Sequence, residues 1–411
     1  MADESQAKPS VLRSVALNLA LLLATIVVSL LVLEGAMRLI APQRNLLESI
    51  GEVTVLSPAG ETTHIYGDEK LGLMTRPNLR YRLGKGEFTL EVQTNSDGFR
   101  GPNFDEIVGD KQDVAAFTGD SFLWGWGVDM PERFSDRIAA AIPEYAWLNL
   151  GMFGTGTGQH YLHWREVGRR YHPKLVVEWF FDNDVDDILQ RLARFPKPYF
   201  TLDDSGMLTE HAPDLSLKQK QKPFLGLRRY LRSHSHLYVF IKSRMSFSGE
   251  GEVPMAIHLK KPPEQVQKKL DLLIAILTRY ARDVQEAGGV FALAMIPSTT
   301  SMETDGVYRT YDWGDVQRQW KLDGNDYDFD ALGMRLREWG DAHGVPVFVP
   351  RHQLKALEDA GTRLYFSHDG HLNQRGHQAI ADAFVRDFWP TLEGALAVRA
   401  GSAPPPGGGE E

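Results

Sequence analysis

The chain has 411 residues, enough for one large α/β domain with appendages or for two ordinary domains, and its 43% hydrophobic and 24% charged residues suit a globular protein with an ample core. A formal net charge of −9 excludes a global basic field of the kind that gathers nucleic acid. Cysteine is absent, which excludes disulfides, thiol catalysis and thiolate-bound zinc or iron–sulfur clusters and leaves the compartment open.

After a short polar tail (1–14), Val15 to Leu33 runs as VALNLALLLATIVVSLLVL without a charge. At 1.5 Å per residue this spans roughly 28 Å, close to the hydrocarbon thickness of a bilayer. The run is too long for the apolar region of a signal peptide, and Glu34-Gly35-Ala36-Met37-Arg38 offers no small-x-small cleavage site. The segment 15–33 therefore reads as an uncleaved transmembrane anchor. Lys8 and Arg13 before it balance Arg38 and Arg44 after it, so charge does not set its orientation. A short tail before a large body favours a body outside the cytoplasm, in the periplasm or at the cell exterior.

Residues 41–113 form a β-rich connector. Within it LRYRLGKGEFTLEV alternates around Gly84-Lys85-Gly86, the pattern of a hairpin over Thr75 to Thr94. The turn formers from Thr94 to Pro102 then read as a strand-to-domain connection, with Arg100 structural rather than in contact with substrate.

From Val114 strands and helices alternate. Strands are expected at Val114 to Thr118, Tyr145 to Leu150, Leu175 to Phe181, Val290 to Ile296 and Val345 to Val349. Helices are expected at Phe134 to Ile142, His160 to Tyr171, Val266 to Glu286, Phe329 to His343 and Gln374 to Phe388. This alternation predicts an α/β domain over 114–392, with a five-stranded parallel sheet covered by helices on both faces. Insertions at 187–261 and 298–328 interrupt it. The first holds the basic stretch KQKQKPFLGLRRYLR, either a solvated helix face or a contact with an anionic membrane or glycan. The second holds Tyr308, Tyr311, Trp313, Trp320 and Tyr327, either a platform for sugar rings or packing onto the body. Residues 400–411 read as a disordered tail.

Four blocks fall at the carboxyl ends of expected strands, where a doubly wound sheet places its site. They are Gly119-Asp120-Ser121, the loop at Gly154, Asp182-Asn183-Asp184, and Ser367-His368-Asp369-Gly370-His371. A serine needs an imidazole to take its proton, the imidazole works best when a carboxylate fixes its tautomer, and the tetrahedral intermediate needs fixed donors. Asp120 and Asn149 read as braces of their turns. His368, His371 and His377 could be metal ligands but have no carboxylate pair beside them to close a site, and His234 with His236 lacks the helical spacing that would bring both to one ion. No cofactor and no metal is expected.

Gly119-Asp120-Ser121-Phe122, Asn149-x4-Gly154, Asn183-Asp184 and Asp369-x-His371 together resemble the blocks of the SGNH hydrolases, also called GDSL-type esterases. The resemblance covers roughly Val114 to Phe388, with the second insertion outside it. It implies a flavodoxin-like three-layer fold with Ser121 as nucleophile, His371 as base, Asp369 as orienting acid, and Ser121, Gly154 and Asn183 as oxyanion donors. It further implies a membrane-anchored bacterial enzyme near polysaccharide metabolism. Two departures stand out. The acid precedes His371 by two residues where three is usual, as in some alginate O-acetyltransferases, and His368 occupies the usual place. Phe181 replaces a common glycine.

The expected function is that of a serine esterase removing a short acyl group, acetyl above all, from a carbohydrate or another ester. An O-acetyltransferase is the alternative within that chemistry, and an inactive scaffold binding glycan or envelope proteins the alternative outside it. Expected partners are the ester substrate and, through the anchor, a membrane; nucleic acid is not among them.

Overall fold

The computed structural model describes residues 11–40, 52–57, 63–217, 224–246, 255–302, 317, 320–367 and 369–402. The chain divides into two compact units, Met1–Ile50 with Gln221–Gly251, and Gly51–Lys220 with Glu252–Glu411.

In the first unit a helix runs over Val11–Ile40. Its segment Arg13–Ile40 is long and apolar enough to cross a membrane, with an 18-residue stretch of mean hydropathy 2.7, none of it buried in protein. The uncharged run ends at Glu34, whose carboxylate accepts hydrogen bonds from Ser235 Oγ at 2.8 Å and from the His236 and Leu237 N–H groups at 2.9 Å each. Those N–H groups open the helix His236–Ser246, and no acceptor within that helix can reach them. Arg38 holds Glu34 from one turn on at 2.8 Å and donates to the His234 carbonyl at 2.7 Å. The basic stretch of the first insertion falls partly here. Residues 218–223 lie outside the described residues, and the helix Leu225–His234 that follows exposes Leu227, Arg228 and Tyr230.

The second unit begins with five short strands. β1 (Glu52–Ser57) joins β4 (Arg80–Lys85) and β5 (Phe88–Gln93) in an antiparallel sheet, and β2 (Ile65–Asp68) pairs with β3 (Gly72–Thr75). The connector hairpin turns between Lys85 and Phe88, which face each other across it. Its alternation buries Tyr81, Leu83, Leu90 and Val92 in a small apolar cluster that Trp124 completes. Arg100 is buried and donates to the carbonyls of Trp124, Gly125 and Val128, so it fixes the loop beyond Ser121.

The main sheet is parallel and contains β6 (Asp113–Gly119), β7 (Tyr145–Gly151), β8 (Leu175–Phe181), β11 (Val290–Ile296) and β12 (Val347–Phe348), the numbers 9 and 10 belonging to a hairpin, β9 (Tyr199–Leu202) and β10 (Leu208–His211), in the first insertion. Its spatial order is β12-β11-β8-β6-β7, the 2-1-3-4-5 order of flavodoxin-like sheets. Successive residues face opposite sides. Val114 and Ala116 enter one core with the helix Glu264–Glu286, while Ala115 and Phe117 enter the other with Phe134–Ala141 and Gln374–Ala383. Helices on both faces thus make three layers.

Some expected elements differ in extent, and one helix was not expected. The fifth strand is only Val347–Phe348, paired on one side with β11 as an edge strand. A helix at Arg351–Asp359 had no clear signal. The last helix does not stop at Phe388 but passes through a π turn, Phe384–Phe388, into Trp389–Ser402, so residues 400–402 are helical and not part of a disordered tail. Pro390 accounts for the π turn, because it has no N–H to donate and its ring crowds the preceding turn, which the wider turn relieves. In the second insertion Tyr308, Tyr311 and Trp313 lie outside the described residues. Trp320 is half-buried, and Tyr327 is buried in the core against Phe329.

Candidate active site

Ser121 begins the short helix Ser121–Trp124 directly after β6. Gly119 is required there by close approach, since a Cβ would lie 2.9 Å from the Trp179 carbonyl and 3.0 Å from Leu123 Cβ, and not by its φ, which is outside the left-handed region. Asp120 braces the turn. Its Oδ1 accepts from the Phe122 N–H at 2.9 Å, and its Oδ2 stands 3.5 Å from Ser121 Oγ. Asn149 likewise braces the end of β7, donating to Leu123 O and Ser135 Oγ and accepting from the Gly151 N–H.

His371 reaches the serine from the far end of the chain, with Nε2 2.8 Å from Ser121 Oγ. Its Nδ1 meets Asp369 Oδ1 in a short hydrogen bond. The loop that carries both closes on itself through the Phe366 N–H to the His371 carbonyl at 2.9 Å. The second oxygen of Asp369 pairs with Lys85 Nζ and lies 3.4 Å from Trp126 Nε1. Burial alone would raise the pKa of Asp369, but the hydrogen bonds and charges of His371 and Lys85 outweigh it and hold the carboxyl well below the usual range. His368 lies outside the described residues.

Gly154 and Asn183 follow β7 and β8, the two strands that flank β6. Gly154 has a φ of 72°, a left-handed conformation that glycine adopts without strain. Asn183 is the exposed first residue of the helix Asn183–Asp187. Among the described residues no hydrogen bond joins either to Ser121; the topology places them on its two sides. Aromatic rings wall the site. Phe122 stands 4.2 Å from Phe181 and 4.7 Å from His371 between ring centroids, and Trp126 lies 5.8 Å from His371. Phe181 thus packs on the ring of Phe122, the residue after Ser121.

A buried polar cluster lies beneath β6. Thr118 donates to Glu178 at 2.6 Å and lies 3.0 Å from the Tyr280 hydroxyl. His160 pairs with Glu178 at 2.7 Å and lies 3.1 Å from Thr155 Oγ1, while Asp184 sits 4.0 Å from His160 and accepts from Thr157. Burial would lower the His160 pKa, but the charges of Glu178 and Asp184 raise it to about 9. Burial pushes Asp120 and Asp184 up. His160, Glu178 and Asp184 bring ligand atoms within 4.8 Å of one another and are the group that could hold a metal among the described residues. Both His160 nitrogens already have protein partners, which suits an ion pair better than a metal centre. His377 is elsewhere, accepting from the Phe134 N–H at 3.1 Å, and burial lowers its pKa to about 3, which keeps it neutral.

Sequence reasoning missed Lys85, Trp126 and the His160 cluster. Glu178 carried a usable signal, since a single acid inside the apolar run LVVEWFF has to find a partner.

No family model matches the chain, and no curated protein matches it. Among solved structures it is similar to the acetyl xylan esterase AlAXEase, at 13% identity over 68% of this chain and 99% of that one, with a TM-score of 0.37. It is also similar to a member of the lipolytic G-D-S-L family from Veillonella parvula (13% identity, 67% and 98%, TM-score 0.34) and to the acetylxylan esterase Axe2 from Geobacillus stearothermophilus (13%, 67% and 94%, 0.35). At these TM-scores the likeness adds nothing to the geometry. The strand order is the one implied by the resemblance to the SGNH hydrolases.

Proposed function

We propose that the protein is a serine esterase that removes a short acyl group through an acyl-serine intermediate. The observation that carries this reading is the chain of contacts from Ser121 Oγ to His371 Nε2 at 2.8 Å and from His371 Nδ1 to Asp369. His371 takes the serine proton as the hydroxyl attacks the ester carbonyl, and Asp369 fixes the tautomer that leaves Nε2 free to accept it. His371 then returns the proton to the departing alcohol, and water repeats the sequence on the acyl-serine. The Ser121 and Gly154 N–H groups and the Asn183 amide are the donors assigned to the oxyanion, where losing one costs about 3–4 kcal/mol of transition-state stabilisation.

Phe122 and Phe181 beside the serine support a short acyl group, and the resemblance supports a carbohydrate as the alcohol. The apolar helix Val11–Ile40 supports anchorage in a membrane. The test uses p-nitrophenyl esters of graded length and acetylated glycans, with and without an acceptor sugar. Acetate release that is unaffected by acceptor is expected. Acetyl appearing on the acceptor at the expense of free acetate would replace hydrolysis by transfer, and no turnover with intact protein would leave the scaffold reading.

A further inference from the structure

Lys85, the last residue of β4, stands 284 positions before Asp369 in sequence and touches its carboxylate. Three neighbouring contacts bind the same hairpin to the site, two of them to the loop that holds the acid. Glu87 accepts from the Ser367 N–H at 2.9 Å, and the Phe88 ring lies 5.4 Å from Phe366 and 6.1 Å from Trp126. Lys85 Nζ also sits 5.5 Å from the centre of the Trp126 ring. Lys85 is mostly buried, and the Asp369 side chain is only 4% exposed.

The loop does not orient the acid by itself. Asp369 lies outside regular structure, and its neighbour Gly370 has a φ of 81°. A carboxylate can present either oxygen or turn its edge away, and only one arrangement faces His371 Nδ1. With Lys85 and Trp126 on Oδ2, Oδ1 is left for the imidazole. We propose that Lys85 is a positioning residue for the Asp369–His371 pair, so that the N-terminal hairpin, outwardly a connector, is part of the active site. This rests on the esterase reading above.

The charge of Lys85 matters as well as its contact. The titratable groups around His371 are Asp369 on its own loop, Lys85 on the far side of that carboxylate, Asp120 from below Ser121 and His377 from the last helix, which burial keeps neutral. Removing the ammonium leaves Asp369 uncompensated beside the imidazole and favours the imidazolium.

The experiment compares Lys85→Met, Lys85→Gln and Lys85→Arg in the full-length, detergent-solubilised protein. It reads kcat and KM on p-nitrophenyl acetate, the pH dependence of Ser121 labelling by a fluorophosphonate, and circular dichroism. Lys85→Met is expected to lose about 10- to 100-fold in kcat, as small misplacements of catalytic groups do, with KM little changed. The acid limb of the labelling rate should move to higher pH in the Met and Gln variants, and Lys85→Arg should recover most of kcat. Lys85→Gln is one atom shorter but keeps a donor without charge, so it carries the test if the Met variant does not fold. Wild-type kcat and an unmoved acid limb in a folded Met or Gln variant would overturn the proposal. Failure of wild-type Ser121 to label at all would instead overturn the esterase reading.

Discussion

Ser121 and His371 are 250 residues apart in the chain and 2.8 Å apart between Oγ and Nε2. The contact depends on two separate pieces of packing. The end of β6 sets the serine, and the Phe366–His371 loop, closed by its own backbone hydrogen bond, sets the imidazole. Ser121→Ala is expected to abolish fluorophosphonate labelling, and His371→Ala to suppress it, because the hydroxyl is a poor nucleophile without a base. Mass spectrometry of the labelled peptide checks both. Equal labelling of Ser121→Ala would remove the mechanism.

Asp369→Asn should keep the fold and lower kcat by about 10³- to 10⁴-fold, the scale found when a triad acid becomes an amide and the imidazole takes the wrong tautomer. It also leaves Lys85 without its anionic partner. Kinetics beside a thermal unfolding curve separate the two effects. If His368→Ala proved the more damaging change, the assignment of the acid would be wrong.

The His160–Glu178 pair predicts a pH-dependent stability. His160 binds its proton more tightly in the folded state, with a pKa of about 9 against an ordinary value near 6.5. Such a group stabilises fully below pH 6.5 and loses that contribution as pH rises through about 9. Asp120 and Asp184, pushed up by burial, act in the same sense as pH rises. Urea unfolding is expected to show a fall of up to about 3 kcal/mol between pH 6.5 and 9. His160→Gln should flatten that slope and destabilise at pH 6.5 by about 3–5 kcal/mol, since Glu178 is left buried and unpaired. Stability that rises across this range would show that the pair is not ionised.

Phe181→Gly should widen the acyl site. Its ring packs 4.2 Å from Phe122, and removing it opens room beside Ser121. Relative kcat/KM for the butyrate over the acetate ester is expected to rise by about tenfold, the scale of a few methylenes admitted to an apolar pocket. An unchanged ratio would place the acyl group elsewhere.

Strand periodicity was legible because the central strands are buried on both faces and read as apolar runs, as in Leu175–Phe181. The edge strand Val347–Phe348 was overread because apolar residues beyond it pack without pairing. Ser121 was legible because its block is short and lies at a strand end, and Asp369 and His371 because theirs is short and directly precedes the last helix. Lys85 was not, because nothing local marks a lysine in a hairpin whose partner is 284 positions away. His160 was hidden in a helix whose inner face is polar as well as apolar, and only Glu178 hinted at it.

Glu34 has a practical bearing on how this protein can be cut. It ends the uncharged run of the helix Val11–Ile40 and closes the open N-terminus of His236–Ser246, so two stretches far apart in sequence are finished by one side chain. Cleaving after the apolar helix strips the His236 and Leu237 N–H groups and the Ser235 hydroxyl of their acceptor, and leaves exposed Leu227 and Ile241 on the remaining fragment. A water-soluble version is therefore better made by a double excision, of residues 1–50 and of 221–251 bridged by a short glycine–serine joint, than by trimming the N-terminus alone.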